Sequence, residues 1–300
     1  MTSRLMTKDA SKEAVRAKIK DIFGELPERP THLSGETIGA DFGFAAGGAT
    51  LKSQRLIIDL DGKTAYLNFS AVIPNAVNTC PAIIYIGNED AIPNKFLPAE
   101  EIIDRGYSIF SLNINRVAGL DDSFKGGIAG YIAKSRRKRT APGKIMLWTW
   151  AVTRIIDYIY SLDFVDKANI AVAGHGLMAL PALISAGQDN RIAYAISNDP
   201  GAPILAGEAD LASKMPYLFS PLYAENPEEK LLSTLLEFCK EQNVLWGSAK
   251  DKPYADIEGE IKLIKEIGGD KIAYHHRQGT EYFSRKDWNI YLDFIDKNLR

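Results

Sequence analysis

The 300-residue sequence predicts an α/β fold, with one mostly parallel eight-stranded sheet, an antiparallel N-terminal hairpin and helices on both faces. Two observations carry this. Residues 55–60 and 64–74 alternate apolar and polar side chains around Asp61-Gly62, a dipeptide suited to a two-residue hairpin turn. Beyond them the pattern changes to short unbroken apolar runs, as expected of strands covered on both faces, and these alternate with amphipathic helices.

In chain order, Val15, Ile19, Ile22 and Phe23 recur at helical spacing from Ser11 onward and Gly24 follows as a stop, which predicts an N-terminal helix. The hairpin comes next. Parallel strands are then expected at 82–87, 107–114, 170–174, 194–198, 244–248 and 272–276, with helices at 98–105, 144–162, 177–186, 228–241, 257–267 and 284–298. No repeat and no Pro/Gly/Ser-rich linker divides the chain. One domain over residues 1–300 is therefore expected, with 1–30 as an N-terminal helical extension. An antiparallel pair followed by six strands interleaved with helices is the order of the α/β-hydrolase fold.

Composition excludes several functions. With 46% hydrophobic and 25% charged residues the chain is neither disordered nor fibrous. Its 36 basic and 38 acidic residues leave a formal charge of -2, so no global field grips nucleic acid or an anionic membrane. The lone basic cluster, residues 134–139, has no interleaved aromatic residues and reads as a solvated loop. Cys80 and Cys239 form neither a CxxC pair nor a metal-ligand cluster, and no metal or cofactor is expected. The opening MTSRLMTKDA lacks a signal-peptide core and no run reaches the length of a membrane span, so a cytoplasmic location is expected. Oligomeric state is not legible.

In this fold the nucleophile stands on a sharp strand-to-helix turn. That turn is Ala173-Gly174-His175-Gly176-Leu177-Met178, with Gly176 at its apex. Further stretches resemble the glucuronoyl esterase and acetylxylan-esterase-like carbohydrate esterases. Phe96-Leu97-Pro98-Ala99-Glu100-Glu101-Ile102-Ile103-Asp104-Arg105-Gly106 is similar to that family's YLPTEEIIDRG. Gly143-Lys144-Ile145-Met146-Leu147-Trp148-Thr149-Trp150 resembles its GKIxxWxW, and Ala195-Ile196-Ser197-Asn198-Asp199 its AISND. Tyr254-Ala255-Asp256-Ile257-Glu258-Gly259-Glu260 resembles WADPEGE, and residues 277–288 resemble RxGTHYxSxxDW.

The resemblance implies ester hydrolysis by a serine triad, and the departures fall on that triad. The family's elbow reads GHSRLGK; here serine is replaced by Gly176, the oxyanion-supporting arginine by Leu177 and the substrate-holding lysine by Leu180. The histidine of RxGTHY is Glu281. The acid is kept as Asp199, 23 residues after Gly176 as in the family. An alternative acid loop reads Lys250-Asp251-Lys252 where relatives carry Glu-Glu-Asp.

A serine hydrolase needs an oxygen nucleophile, a base to deprotonate it and donors for the oxyanion. Without them the expectation is a catalytically degenerate member that binds a small carbohydrate or ester ligand, or a partner. The rival expectation is an ester hydrolase, acting on acetyl or glucuronoyl esters, in which Asp199 and Glu281 meet above Gly176 and either activate water or recruit a cation, although no third ligand is evident. His175, Leu177, Leu180 and Trp148 are the candidate ligand-lining residues; His175 and Trp148 have packing roles as their alternatives.

Overall fold

The computed structural model describes residues 2–133, 136–200, 208–227, 231–251 and 257–299. Nine strands form one sheet in the order β1-β2-β3-β5-β4-β6-β7-β8-β9. They are β1 (His32–Asp41), β2 (Ala49–Leu60), β3 (Lys63–Pro74), β4 (Cys80–Gly87), β5 (Ser108–Asn113), β6 (Val165–His175), β7 (Tyr194–Asn198), β8 (Asn243–Ala249) and β9 (Ile272–Arg277). The first three are antiparallel, β3 meets β5 antiparallel, and β4 to β9 run parallel.

The expected count of eight strands is therefore corrected to nine, and the hairpin to a three-stranded antiparallel ribbon. The missed strand is β1. Its sequence, HLSGETIGAD, has no apolar alternation because it is the exposed edge of the sheet, bulged between Thr37 and Gly39. Pairing with β2, rather than burial, holds it. At the predicted turn between β2 and β3, Asp61 and Gly62 both have the positive φ that a two-residue hairpin requires (48° and 76°).

The central strands alternate between two cores, and β4 shows why its sequence reads as one continuous apolar run. Ala82, Ile84 and Ile86 point into the core beneath α1 (Thr2–Phe23), α4 (Lys144–Ile159), which follows the single-turn α3 (Ala129–Ile132), and α5 (Ala179–Gln188). Ile83 and Tyr85 point into the opposite core, under α2 (Ala99–Asp104) and the C-terminal helix Arg285–Asn298. Both faces being covered, no position is left for a polar alternation. α1 ends in this packing through Ile19, Ile22 and Phe23, all buried. Among the described residues no helix is long and apolar enough to cross a membrane.

This topology fixes where a ligand can reach the backbone. The chain runs from β4 to β5 on one side of β4 and then crosses to β6 on the other. The carboxyl ends of β4 and β6 thus flank a switch point, where the two outgoing connections part and where open α/β sheets form their ligand crevice.

Candidate active site

β6 delivers the elbow to that crevice. His175 is still extended (φ -120°, ψ 141°), then Gly176 turns left-handed (φ 58°) and a short 3-10 turn, Gly176–Met178, leads into α5. Two glycines have different reasons to be here. A Cβ on Gly174 would sit 2.1 Å from the Met178 carbonyl oxygen, so the returning helix tolerates no side chain there. A Cβ on Gly176 would meet nothing within 4 Å, so its glycine answers only the backbone conformation, and the space above the apex is open.

Beside the elbow, Asp199 follows β7 with a left-handed φ of 45°, unusual outside glycine but tolerated by aspartate. This turn buries its carboxylate completely. Oδ1 accepts the Ala249 N–H at 2.7 Å. Oδ2 accepts from the Arg277 guanidinium at 2.5 Å and the Tyr282 N–H at 3.1 Å. Arg277, at the end of β9, also donates to the carbonyls of Thr280 and Tyr282, and its Nε lies 3.3 Å from Asp287. One guanidinium fork therefore ties two buried carboxylates to the loop carrying residues 280–282.

The Asp287 end is equally specified. Asp287 and Ser284 form a reciprocal capping box at the start of the C-terminal helix, and His275 Nε2 lies 3.5 Å from the same carboxylate. Burial pushes the Asp287 carboxyl up, but hydrogen bonds from His275 and Ser284 and the charge of Arg277 outweigh it and hold the group below its usual value.

Asn198 links these elements to the elbow. The Tyr282 carbonyl can only accept, so the Asn198 Nδ2 amide must face it, at 2.8 Å, while the Tyr291 hydroxyl donates to Oδ1. Nδ2 then also donates to His175 Nδ1 at 2.9 Å, so a neutral His175 carries its proton on Nε2. The imidazole packs between Phe96 and Phe283, ring centroids 5.0 and 5.9 Å away, and Tyr282 meets Phe96 edge-on.

The expected residues divide clearly. Gly176, His175, Asn198 and Asp199 come together at the switch point. Glu281 is on the adjoining loop but exposed, while Asp199 is wholly buried and faces Arg277, so the expected meeting of the two carboxylates is not the pairing the structure makes. Leu177 is half-buried at the elbow. Leu180 and Trp148 present no surface to a ligand, being fully buried, with Trp148 Nε1 donating to the Ala118 carbonyl. Lys250 and Asp251 bond through their backbones to the 277–279 segment; Lys252 and Tyr254-Ala255-Asp256 lie outside the described residues. Among the described residues no group of three or more His, Cys, Asp or Glu side chains is placed to hold a metal.

Arg277 and Asn198 lie in stretches that carry the family resemblance, and the sequence alone assigns neither a role. Their pairing could not be found from spacing, because Asp199 and Arg277 are 78 positions apart and meet only when β7, β8 and β9 stack side by side.

A family model described as glucuronyl esterase, fungi, matches residues 57–207, half of the chain, and its span includes the elbow and Asp199. The chain belongs to the glucuronyl esterase family. Its similarity to carbohydrate esterase MZ0003, from an unknown prokaryotic organism, is 24% identity over 67% of this chain and 55% of that protein. The chain thus spans about half the length of the curated relative it matches. The fold is that of the glucuronoyl esterase from Solibacter usitatus, with a TM-score of 0.83, 18% identity, and 96% of this chain and 92% of that one covered. A carbohydrate esterase family 15 glucuronoyl esterase from Caldicellulosiruptor kristjansonii gives 0.78, 19%, 98% and 85%, and the Hypocrea jecorina catalytic domain 0.72, 17%, 95% and 82%. These structures establish an α/β-hydrolase fold for this glucuronyl esterase relative.

Proposed function

We propose that this chain is a catalytically silent member of the glucuronyl esterase family that retains the crevice as a carbohydrate-binding site. The observation that carries the reading is the elbow: its backbone is in the sharp turn that presents a nucleophile, yet the apex is Gly176, with open space where a side chain would stand. Nearby groups do not replace the missing chemistry. His175 is held by Asn198 and two aromatic rings, Asp199 already accepts from the Arg277 guanidinium and from the Ala249 and Tyr282 N–H groups, and Glu281 faces solvent. In serine proteases, removing the triad costs on the order of a millionfold in kcat, leaving only binding and oxyanion stabilisation.

The rival reading, an ester hydrolase working through Asp199 and Glu281, needs a carboxylate free to activate water. Asp199 is not free in that sense, and the exposed Glu281 has no described partner to orient it. A relative supplies the probe: the glucuronoyl esterase of Sporotrichum thermophile has been crystallised with methyl 4-O-methyl-beta-D-glucopyranuronate (TM-score 0.68, 16% identity). The test is hydrolysis of this ester and of aryl acetates by the wild type beside Asp199→Ala. No rate above buffer from either protein is expected; a saturable wild-type rate that disappears in Asp199→Ala contradicts the proposal.

A further inference from the structure

Two strands from the elbow, the ends of β4 and β5 carry a polar cluster that the esterase chemistry does not use. Arg116 approaches Asp90 side-on, Nη2 to Oδ2 at 2.6 Å and Nε to Oδ1 at 3.4 Å. Asn113, buried beneath them, also hydrogen-bonds Asp90 and receives the Asn115 N–H at 3.0 Å; Asn115 in turn donates to the Asn88 carbonyl at 3.2 Å. The loops after β4 and β5 are thereby fastened together. Burial raises the Asp90 carboxyl, but the bonds from Arg116 and Asn113 outweigh it and keep the group ionised below its usual range.

The geometry leaves one edge of the guanidinium unused. A guanidinium has five N–H donors in a fixed fork. The Nε/Nη2 edge is committed to Asp90, and no described residue accepts from Nη1, so the Nη1/Nη2 edge forms a second fork open to solvent. Arg116 and Asp90 are each about half exposed and together neutral. The pair therefore offers adjacent donors and, on Asp90, remaining acceptor lone pairs, without a net charge to attract an anion.

We infer that Arg116 and Asp90 form a subsite for the vicinal diol of a neutral sugar ring, adjoining the crevice above Gly176. Hydroxyls both donate and accept, so a diol matches a donor fork beside a carboxylate, whereas a second carboxylate would be repelled by Asp90. The register places the subsite within reach of the elbow: Gly87 pairs with Asn113 across β4 and β5, and Ile86 with Gly174 across β4 and β6. Adjacent strands lie about 4.8 Å apart, so the two positions are roughly 10 Å apart, a span for neighbouring rings of one oligosaccharide.

The inference rests on the carbohydrate-binding reading but not on catalytic silence. The test is calorimetric titration of the full chain with xylotriose and, separately, cellotriose. Saturable binding of at least one is expected, unchanged between 0.05 and about 0.5 M salt because neither partner carries net charge. Arg116→Met should weaken it about tenfold or more with at most the small drop in melting temperature that loss of a half-exposed ion pair brings, and Arg116→Lys should not rescue it, since an ammonium has no fork. Failure of the wild type to bind either sugar, equal binding by Arg116→Met, or rescue by lysine overturns the subsite. Preferential, salt-sensitive binding of sodium glucuronate that Arg116→Met abolishes also overturns it. Should the wild type prove to hydrolyse esters, an Arg116→Met variant with raised KM and unchanged kcat would preserve the subsite while removing the silent reading.

Discussion

Asp199 is wholly buried at the end of β7. A buried carboxylate needs partners that match its charge, and here they are Arg277 and the N–H groups of Ala249 and Tyr282. Arg277→Met should leave that charge buried and unanswered, and urea denaturation should show a loss of about 3–5 kcal/mol. A small change would mean that the loop, rather than the ion pair, is what the guanidinium supports. Asp287 gives a pH signature. Its carboxyl titrates lower in the folded protein than in the unfolded chain, so its stabilisation is complete above the unfolded value of about 3.9 and is lost as pH falls through the lower folded value. Asp287→Asn should therefore lower stability near neutrality and flatten its dependence on pH below about 4, as read from melting temperatures across an acid series. At this scale the sequence identified residue types well and partners poorly. Gly176 and His175 were legible as the strand-to-helix turn and Asp199 as a strand-end carboxylate, but the pairing of Asp199 with Arg277 depends on three strands lying side by side.

At the level of elements, the strand-to-helix turn at β6 and α5 separates a structural glycine from a conformational one. Gly174→Ala places a methyl group against the Met178 carbonyl and should disrupt the approach of α5, giving little soluble protein or a large drop in melting temperature. Gly176→Ser has open space and should cost only the left-handed backbone conformation, about 1–2 kcal/mol. Purified variants compared by thermal melting distinguish the two; equal losses would show that space at the apex is not open. The parallel strands and their helices were legible because burial on both faces imprints continuous apolar runs, and their predicted spans fall on β4 to β9. β1 was not, because an edge strand exposed on most of its length is specified by backbone pairing with β2 and leaves no apolar period.

Across the whole molecule, burial is concentrated at the centre of the sheet order and exposure at its β1 edge. β4 and β6 lie at its centre, covered by both cores, while β1 is an exposed border. Native-state hydrogen exchange should find the slowest amides in β4 and β6 and the fastest strand amides in β1; comparable protection in β1 would show that its edge is covered in solution. The elbow thus stands at the end of a strand covered by both cores. Beside it, Phe96 packs against both His175 and Tyr282, which sets aromatic rings next to the open space above Gly176. The direct measurement is hydrolysis of methyl 4-O-methyl-glucuronate by purified wild-type protein, with Asp199→Ala as the control for contaminating esterase. A catalytically silent chain gives no rate above buffer in either sample, and a saturable wild-type rate abolished by Asp199→Ala would contradict that proposal.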